Sequence, residues 1–150
     1  MSSSRTIDHV PDRIGPELAH LGISLHARLV WSAAVDRRGL IEQYTSYWND
    51  GDVAGFRSMI VDGCVRHDPG STVPVSLDDN ERRFRAAHAT YTGLQLRNTW
   101  MWEHETDCIT VAYTMTVGVT VLAGLEVFRF ADGLIAEVWN VAPNEGDWLA

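Results

Sequence analysis

The order of its segments is the feature that most constrains the fold of this chain. Helical patterns come first, and four runs rich in Thr, Val, Trp, Tyr, Ile and Phe follow them with short connections. Runs of this kind are typical of consecutive antiparallel strands. Helices first and strands second predict an α+β domain in which a curved, mostly antiparallel sheet wraps around the helices. The runs are LQLRNTWMWEH (94–104), CITVAYTMTVGVT (108–120), VLAGLEVFRF (121–130) and LIAEVWNV (134–141).

Two helices are expected before a first strand. One begins within residues 36–40 and ends at the Asn-Asp-Gly turn of 49–51, because its apolar residues recur at helical spacing up to that point. Asp52 is suited to cap a shorter second helix, which closes at the Asp-Gly pair of 62–63. The chain is then expected to become extended at Cys64.

A loop and a third helix are expected between that strand and the strand-rich half. Pro69, Gly70 and Pro74 predict the loop. The polar residues 78–80 supply a cap for the third helix, which ends at the Thr-Gly pair of 92–93.

The first 35 residues form an addition to this core. Residues 1–15 have the Ser, Asp, Pro and Arg content of a mobile arm. Leucines at three- and four-residue steps, beginning after Pro16, then predict an additional amphipathic helix over 16–35. We therefore expect one domain over 16–150, with this helix packed on the domain or on a partner subunit.

Net charge excludes some classes of partner. The formal charge is −8 and the pI is about 5.1, whereas proteins that bind nucleic acid or anionic membranes without specificity concentrate Lys and Arg on one face. The only basic cluster consists of Arg82, Arg83 and Arg85, which on a short helix indicates a solvated face rather than a phosphate clamp. We expect neither a nucleic-acid nor a membrane partner.

The cysteine content and the absence of long apolar runs indicate a cytoplasmic protein. Cys64 and Cys108 are too few for a disulfide scaffold and lack the spacing of a zinc site, so free thiols in a reducing compartment are the simpler interpretation. No stretch has the length of a signal peptide's apolar core or of a transmembrane helix.

Three motifs occur in order along the chain: YWNDGD at 47–52, HDP at 67–69 and FRFADGLIAEVW at 128–139. Their order and spacing resemble the nuclear-transport-factor-2-like fold, and within it most closely the SnoaL-like polyketide cyclases and the ketosteroid isomerases. The resemblance implies a conical α+β barrel around a deep pocket, and a homodimer formed through the convex face of the sheet. That fold hosts enzymes and non-enzymes alike, so the site residues must decide the function.

The resemblance also implies three catalytic residues. Asp68 falls where isomerase-like members keep the carboxylate that moves a proton next to a carbonyl. Tyr44 falls at the tyrosine that donates a hydrogen bond to the developing oxyanion. Glu126 takes the place of a protonated aspartic acid, and it is one methylene longer than that residue.

The residues themselves support these roles for the two carboxyl groups. Strand alternation puts Glu126 on the same face as Phe128 and Phe130, and burial there raises the pKa of a carboxyl group, so that it can donate a hydrogen bond. Asp68, at a strand end before Pro69, is expected nearer solvent and ionised. Opposed environments of this kind separate an acid from a base.

Each of the three residues also has a structural interpretation. Asp68 before a proline is suited to ending a strand by hydrogen bonds to backbone amides. Tyr44 is also typical of a core tyrosine with its hydroxyl at the edge. Glu126 is also placed to form an ion pair across the sheet with Arg97 or Arg129.

Other residues are expected to line the pocket or to form ordinary core. Val138 and Asn140 share a strand face, and a buried amide needs hydrogen-bond partners, so Asn140 is suited to orienting a polar ligand. His67 is expected to point away from Asp68, which favours a structural role over a catalytic one. The substrate-binding candidates are Trp48, Phe56, Met59, Phe84, Tyr91, Met115, Phe128, Val138 and Asn140.

No metal site is expected, because the histidines are scattered and no carboxylate cluster accompanies them. The chemistry is therefore expected to need no cofactor. Trp100, Trp102 and Trp139 exceed what one small core readily holds, and aromatic residues are enriched at interfaces, so part of this surplus is expected in a homodimer interface.

These observations favour a cyclase or isomerase that acts on a hydrophobic polyketide-type intermediate in secondary metabolism. Ring closure by aldol chemistry, by oxa-conjugate addition or by templated cycloaddition all remain open. The alternatives are a ketosteroid-type double-bond isomerase, an epoxide hydrolase, and a non-catalytic dimeric ligand-binding or scaffold protein.

Overall fold

The computed structural model describes residues 35–149. The predicted arm over 1–15 and all but the last residue of the predicted helix over 16–35 lie outside the described residues. Within 35–149 the elements are three helices and six strands, in the order α1, α2, β1, β2, α3 and then β3 to β6. The α+β prediction is confirmed.

Aspartate caps define the first two helices. α1 spans Arg37–Asp50, and the Asp36 carboxylate accepts a hydrogen bond of 3.0 Å from the Gly39 N–H. α2 spans Val53–Ser58, and Asp52 accepts from the Gly55 N–H at 2.9 Å. Each cap satisfies an N–H that has no partner within the helix, and the cap at Asp52 was predicted from the sequence.

The third helix begins slightly earlier than the sequence predicted. α3 spans Leu77–Thr90, and its cap is Ser76, whose hydroxyl accepts from the Asp79 N–H at 3.1 Å. The expected cap at 78–80 is therefore wrong. Asp78 and Asp79 lie in the first turn instead, where negative charge is favourable.

Six strands form one curved, mixed sheet that is not closed into a barrel. The strands are β1 (Ile60–Asp68), β2 (Ser71–Val75), β3 (Gln95–Glu103), β4 (Cys108–Val117), β5 (Thr120–Ala131) and β6 (Leu134–Glu145). Their spatial order is β2-β1-β6-β5-β4-β3, so β2 and β3 are open edges. Only β1 and β6 pair in parallel; the other four pairings are antiparallel.

The segment predicted as a loop at 69–74 contains a strand. Residues 71–75 form β2, which pairs with β1 through the contacts Cys64 to Val75 and Asp68 to Ser71. Proline is tolerated on an edge strand, where its missing N–H interrupts no central ladder, and Pro74 lies on such an edge.

The inner face of the sheet, defined as the face that packs on the helices, forms the core. Buried apolar residues of α1, α2 and α3 meet those of β1, β4, β5 and β6 there. The residues of this core cluster are Ile41, Tyr44, Phe56, Met59, Ile60, Cys64, Phe84, Ile109, Val111, Phe128, Phe130, Ile135 and Val138. Among the described residues, no helix is long and apolar enough to cross a membrane.

Candidate active site

Glu126 lies in the middle of the inner face. On β5 it pairs with Val111 of β4 on one side and with Asn140 of β6 on the other. Phe128, two residues on, points to the same face and is 1% exposed. The alternation that was read from the sequence thus places a carboxyl group among apolar side chains.

Two chambers open on either side of Glu126. Both are lined by Glu126, Tyr44, Trp48 and Ala87, so these four residues form the junction between the chambers.

The apolar chamber has a volume of about 140 Å³ and lies between α1 and the strands β3, β4 and β5. Beyond the junction, the lining residues with polar side-chain groups are Thr45, Asn98 and the tyrosines Tyr91 and Tyr113. The other residues that line this chamber are Ile41, Leu94, Leu96, Val111, Met115 and Phe128.

The polar chamber is larger, about 250 Å³, and lies towards α3, β1 and β6. Arg66 and Arg83 bring positive charge to its lining, and Asn80 and Asn140 bring amides. The remaining lining residues are Phe56, Ile60, Cys64, Phe84, Ile135 and Val138.

Burial raises the pKa of Glu126 to about 7. Desolvation is the main cause; the Arg66 guanidinium opposes the rise, and the negative charge of Asp68 adds to it. The ion pairs considered from the sequence do not form, because Arg97 pairs with Asp147 and Arg129 pairs with Glu137. A carboxyl group with this pKa is able both to donate and to accept a proton near neutral pH.

Two tyrosines flank Glu126. Burial raises the pKa of the Tyr44 and Tyr113 hydroxyls, and the charge of Glu126 raises it further, so both are hydrogen-bond donors at neutral pH. The Tyr44 ring packs against Phe128 at a centroid distance of 5.3 Å. The Tyr113 ring lies over Gly124, where an added Cβ would overlap it.

Asp68 lies beside the polar chamber but does not line it. Its Oδ1 accepts a hydrogen bond of 3.2 Å from Nη2 of Arg66, which does line that chamber. The Asp68 side chain is 34% exposed at the end of β1. Because β6 separates β1 from β5, the strands that carry Asp68 and Glu126 are two strand spacings apart, roughly 10 Å.

His67 lies on the outer face of the sheet. Its ring stacks on Trp139 at a centroid distance of 4.4 Å, and its two nitrogens contact Thr72 Oγ1 at 3.2 Å and Glu137 Oε2 at 2.9 Å. Hydrogen bonds from His67 and Arg129 hold the pKa of Glu137 below its usual range. These contacts place His67 away from both chambers.

The chambers include eight of the nine side chains expected at the substrate. Met59 is the exception, because it is buried in the core where α2 meets β1 and lines neither chamber. Trp48 lines both chambers. Tyr91, Met115 and Phe128 line the apolar chamber; Phe56, Phe84, Val138 and Asn140 line the polar one.

The sequence reasoning missed Arg66, Arg83 and Tyr113. Arg66 precedes Asp68 by two residues, so the alternation already applied to Asp68 places both on one face. Tyr113 required the pairing of β4 with β5, which sets it opposite Gly124. In residues 35–149 no group of three or more His, Cys, Asp or Glu side chains is arranged to hold a metal ion.

Structures of known proteins share this fold at low sequence identity. AclR, a proposed hydroxylase from Streptomyces galilaeus, superposes with a TM-score of 0.62 at 21% identity over 72% of this chain and 78% of its own. A proposed ketosteroid isomerase from Kribbella flavida gives 0.62 at 19% identity over 73% and 79%. IdmH, a proposed polyketide cyclase from Streptomyces antibioticus, gives 0.61 at 17% identity over 70% and 90%.

The family is identified from the sequence. No curated protein sequence matches the chain. The family model described as "SnoaL-like domain" matches residues 41–138, which is well over half of the chain. The match includes most of α1, the centre of the sheet and the four residues shared by the two chambers. This chain belongs to the SnoaL-like domain family.

Proposed function

We propose that this protein is a cyclase or isomerase that acts, without a cofactor, on a hydrophobic polyketide-type intermediate. The observation that carries the proposal is the position of Glu126, which is half-buried at the junction of two chambers beside Tyr44 and has a pKa raised to about 7 by desolvation. Similarity to a proposed polyketide cyclase and a proposed ketosteroid isomerase supports the substrate class.

Asp68 begins the proposed reaction as the base. Its Oδ1 accepts from Arg66, and among the described residues no hydrogen bond is made to its Oδ2, so this oxygen is available to remove a proton next to a ketone. The enolate oxygen that develops receives hydrogen bonds from the Tyr44 hydroxyl and from protonated Glu126. A preorganised donor at such an oxygen contributes about 3–4 kcal/mol to the transition state.

The second step distinguishes a cyclase from an isomerase. In ring closure, the enolate carbon attacks an internal carbonyl carbon, a C–C bond forms, and the new alkoxide takes the proton of Glu126. The proton on Asp68 then returns to Glu126 through solvent. In isomerisation, Asp68 returns its proton to a different carbon of the enolate, and the double bond moves.

Substitution of Glu126 tests the proposal. A β,γ-unsaturated ketone and a linear diketone serve as model substrates, with conjugated enone absorbance and product mass as readouts. Glu126→Gln is expected to lower kcat by about a hundredfold to a thousandfold, because the amide is a weaker donor and cannot give up a proton. Glu145→Gln, an exposed carboxylate on β6, is the matched control and keeps full activity.

Turnover and binding by the wild type and by Glu126→Gln distinguish acid–base catalysis from the two other possibilities. Turnover that survives Glu126→Gln would contradict acid–base catalysis and favour templated ring closure in the same chambers. Binding of these ketones without turnover by the wild type would instead favour the ligand-binding alternative.

Epoxide hydrolysis is a second candidate, and the Arg66–Asp68 pair favours it because Arg66 lines the polar chamber together with Glu126. In that reaction protonated Glu126 gives its proton to the epoxide oxygen as the C–O bond breaks, and Asp68 takes a proton from the attacking water. Hydrolysis in ¹⁸O-labelled water would incorporate one labelled oxygen into a diol. An isomer or cyclised product without label would exclude this candidate.

A homodimer formed through the outer face of the sheet is part of the proposal. Five large apolar side chains are exposed there on β3, β5 and β6. Their pairings put them opposite residues of the outer face, for example Trp100 opposite Ala112 and Leu125 opposite Val141. The five residues, which we call the outer patch, are Trp100, Trp102, Leu125, Trp139 and Val141.

A further inference from the structure

Unsatisfied polar atoms are concentrated around the polar chamber. Within the described part of the chain, five buried side-chain nitrogen or oxygen atoms have no hydrogen-bond partner. Three of the five belong to residues that line this chamber: Trp48 Nε1, Arg66 Nε and Asn140 Oδ1. Buried polar groups normally have partners, so this concentration marks a place where a bound polar group would complete the hydrogen bonding.

Arg66 has the greatest unused capacity among these residues. A guanidinium carries five N–H donors, and the only hydrogen bond of the Arg66 side chain in the described structure runs from Nη2 to Asp68 Oδ1 at 3.2 Å. The contact is single rather than bidentate, and it leaves the Nε–H buried without an acceptor. Arg66 is therefore held in place by Asp68 and remains able to bind a second acceptor.

Arg83 adds a second positive charge at the same chamber. It is one of three arginines on α3, and the other two are neutralised on the helix surface, Arg82 by Asp79 and Arg85 by Glu81. Arg83 forms no ion pair with any residue in 35–149, and it lines the polar chamber. An exposed cation at a chamber wall attracts anions and repels cations.

The two chambers therefore differ in the chemistry that they accept. With Glu126 protonated, the polar chamber is lined by two cations, two amides and no anion, and Asp68 lies outside its lining. The apolar chamber carries no lining charge other than the shared Glu126. Arginine recognises carboxylates by charge-assisted hydrogen bonds, whereas the opposite chamber accepts hydrocarbon.

We propose that the polar chamber binds a carboxylate of the substrate through Arg66 and Arg83, so that the substrate is an amphipathic keto acid. The apolar part of the acid occupies the apolar chamber, and the oxygen of its ketone lies at the junction beside Glu126 and Tyr44. Asn140 accepts a hydrogen bond from an enol or hydroxyl group next to the carboxylate. The position of the reacting ketone rests on the function proposed above. The preference for a carboxylate does not depend on that function and is tested separately.

Direct binding tests the proposal without any turnover. The probes are naphthylpropanoate and naphthylpropanamide, which share a shape and differ in charge. Calorimetry is carried out at about pH 6, where Glu126 with its pKa of about 7 is mostly protonated. The wild type is expected to bind the carboxylate about tenfold or more tightly than the amide, the discrimination that one charge-assisted hydrogen bond supplies.

Three variants identify the arginines that cause the preference for the carboxylate probe. Arg66→Gln is expected to reduce the ratio of the two affinities to about one, and Arg83→Gln is expected to reduce it in part. Arg83 is exposed, so its substitution leaves the fold intact even if loss of Arg66 does not. Arg82→Gln, on the same helix but outside the polar chamber, is the matched control and keeps the wild-type ratio.

The outcomes separate this inference from the proposed enzymatic function. The carboxylate site would be contradicted if the preference for the carboxylate probe survives both Arg66→Gln and Arg83→Gln. It would also be contradicted if Arg82→Gln removes the preference as completely as those two variants do. Equal affinity for the two probes, or failure of both to bind at millimolar concentration, would contradict it as well. A preference that depends on Arg66 in a protein without turnover would support the carboxylate site and contradict only the enzyme.

Discussion

Arg66 and Asp68 form an ion pair at 3.2 Å between side chains two residues apart on β1. The pair joins the two parts of the candidate site, because Arg66 lines the polar chamber and Asp68 lies beside it near the end of the sheet. One oxygen of Asp68 is occupied by the arginine, and the other is left for chemistry. In the proposed function and the proposed carboxylate site, Arg66 anchors the substrate and Asp68 transfers a proton.

Asp68→Asn tests this division of roles. The amide oxygen still accepts from Arg66, so the arginine keeps its position, but the side chain no longer removes a proton. We expect kcat for the β,γ-unsaturated ketone to fall by about 10²–10⁴-fold, the usual contribution of a general base. Affinity for naphthylpropanoate should change little.

The control for this prediction is an exposed aspartate that lies outside the candidate site. Asp132 lies in a turn with φ of +51°, a conformation that asparagine also tolerates, so Asp132→Asn should leave turnover and affinity unchanged. A near-normal kcat for Asp68→Asn would mean that Asp68 is not the base. Its only role would then be to hold the Arg66 side chain in position.

Glu126 should make stability depend on pH. The ordinary pKa of 4.5 applies in the unfolded chain, and burial raises the pKa to about 7 in the folded one. Between these values the folded protein keeps the proton that the unfolded chain releases, so the free energy of unfolding falls as the pH rises through this window. The stabilisation is complete below pH 4.5 and lost above about 7.

Urea unfolding of the wild type and of Glu126→Gln measures this effect. Glutamine does not titrate, so the stability of the variant relative to the wild type should rise by on the order of 3 kcal/mol from low to high pH. The contributions of all other groups are the same in both proteins and cancel in this comparison. A difference that stays constant between pH 4.5 and 7 would show that Glu126 is not desolvated.

Much of the fold and part of the site could be predicted from local patterns. Asp36 and Asp52 cap helices because side-chain oxygens satisfy free N–H groups, which depends on a few neighbouring residues. The face of Glu126 followed from strand alternation, which also needs no knowledge of partners.

Features that depend on strand pairing were not predicted. A bulge in β3 sets Asn98 opposite Tyr113 and Trp100 opposite Ala112. Asn98 and Trp100 are two residues apart and would share a face in a regular strand, but the bulge makes them point to opposite faces. β2 forms because Pro74 lies on an edge, and its edge position is a property of the whole sheet. The polar chamber likewise depends on α3 lying over β1 and β6, which brings Arg83 and Arg66 to one cavity.

Gly124 should control the shape of the apolar chamber. A Cβ at this position would overlap the Tyr113 ring, which lines that chamber. In Gly124→Ala the ring must move, and a forced shift of this kind in a packed interior costs about 1–3 kcal/mol. We expect lower stability in urea and weaker binding of naphthylpropanamide.

A double substitution shows whether Tyr113 is the cause. In a Tyr113→Ala background the added methyl group meets no ring, so Gly124→Ala should then cost much less than in the wild type. Equal costs in the two backgrounds would mean that the backbone at Gly124, rather than the tyrosine, requires glycine.

The outer patch should hold a homodimer together. Trp102 is 48% exposed and Leu125 38%, and large apolar side chains left this open on one face are typical of an interface. We expect the wild type to be a dimer by analytical ultracentrifugation at micromolar concentration. Leu125→Asp places a charge in the patch, and burial of that charge without a partner should weaken the dimer by about a hundredfold or more.

The matched control, Val119→Asp, changes a residue outside the outer patch. Val119 is fully exposed in the turn between β4 and β5, so Val119→Asp adds the same charge away from the interface and should leave the dimer unchanged. Because the patch and the chambers lie on opposite faces of the sheet, monomeric Leu125→Asp should still bind naphthylpropanoate. A wild type that sediments as a monomer, or a dimer that tolerates Leu125→Asp and not Val119→Asp, would contradict the assignment of this face to the interface.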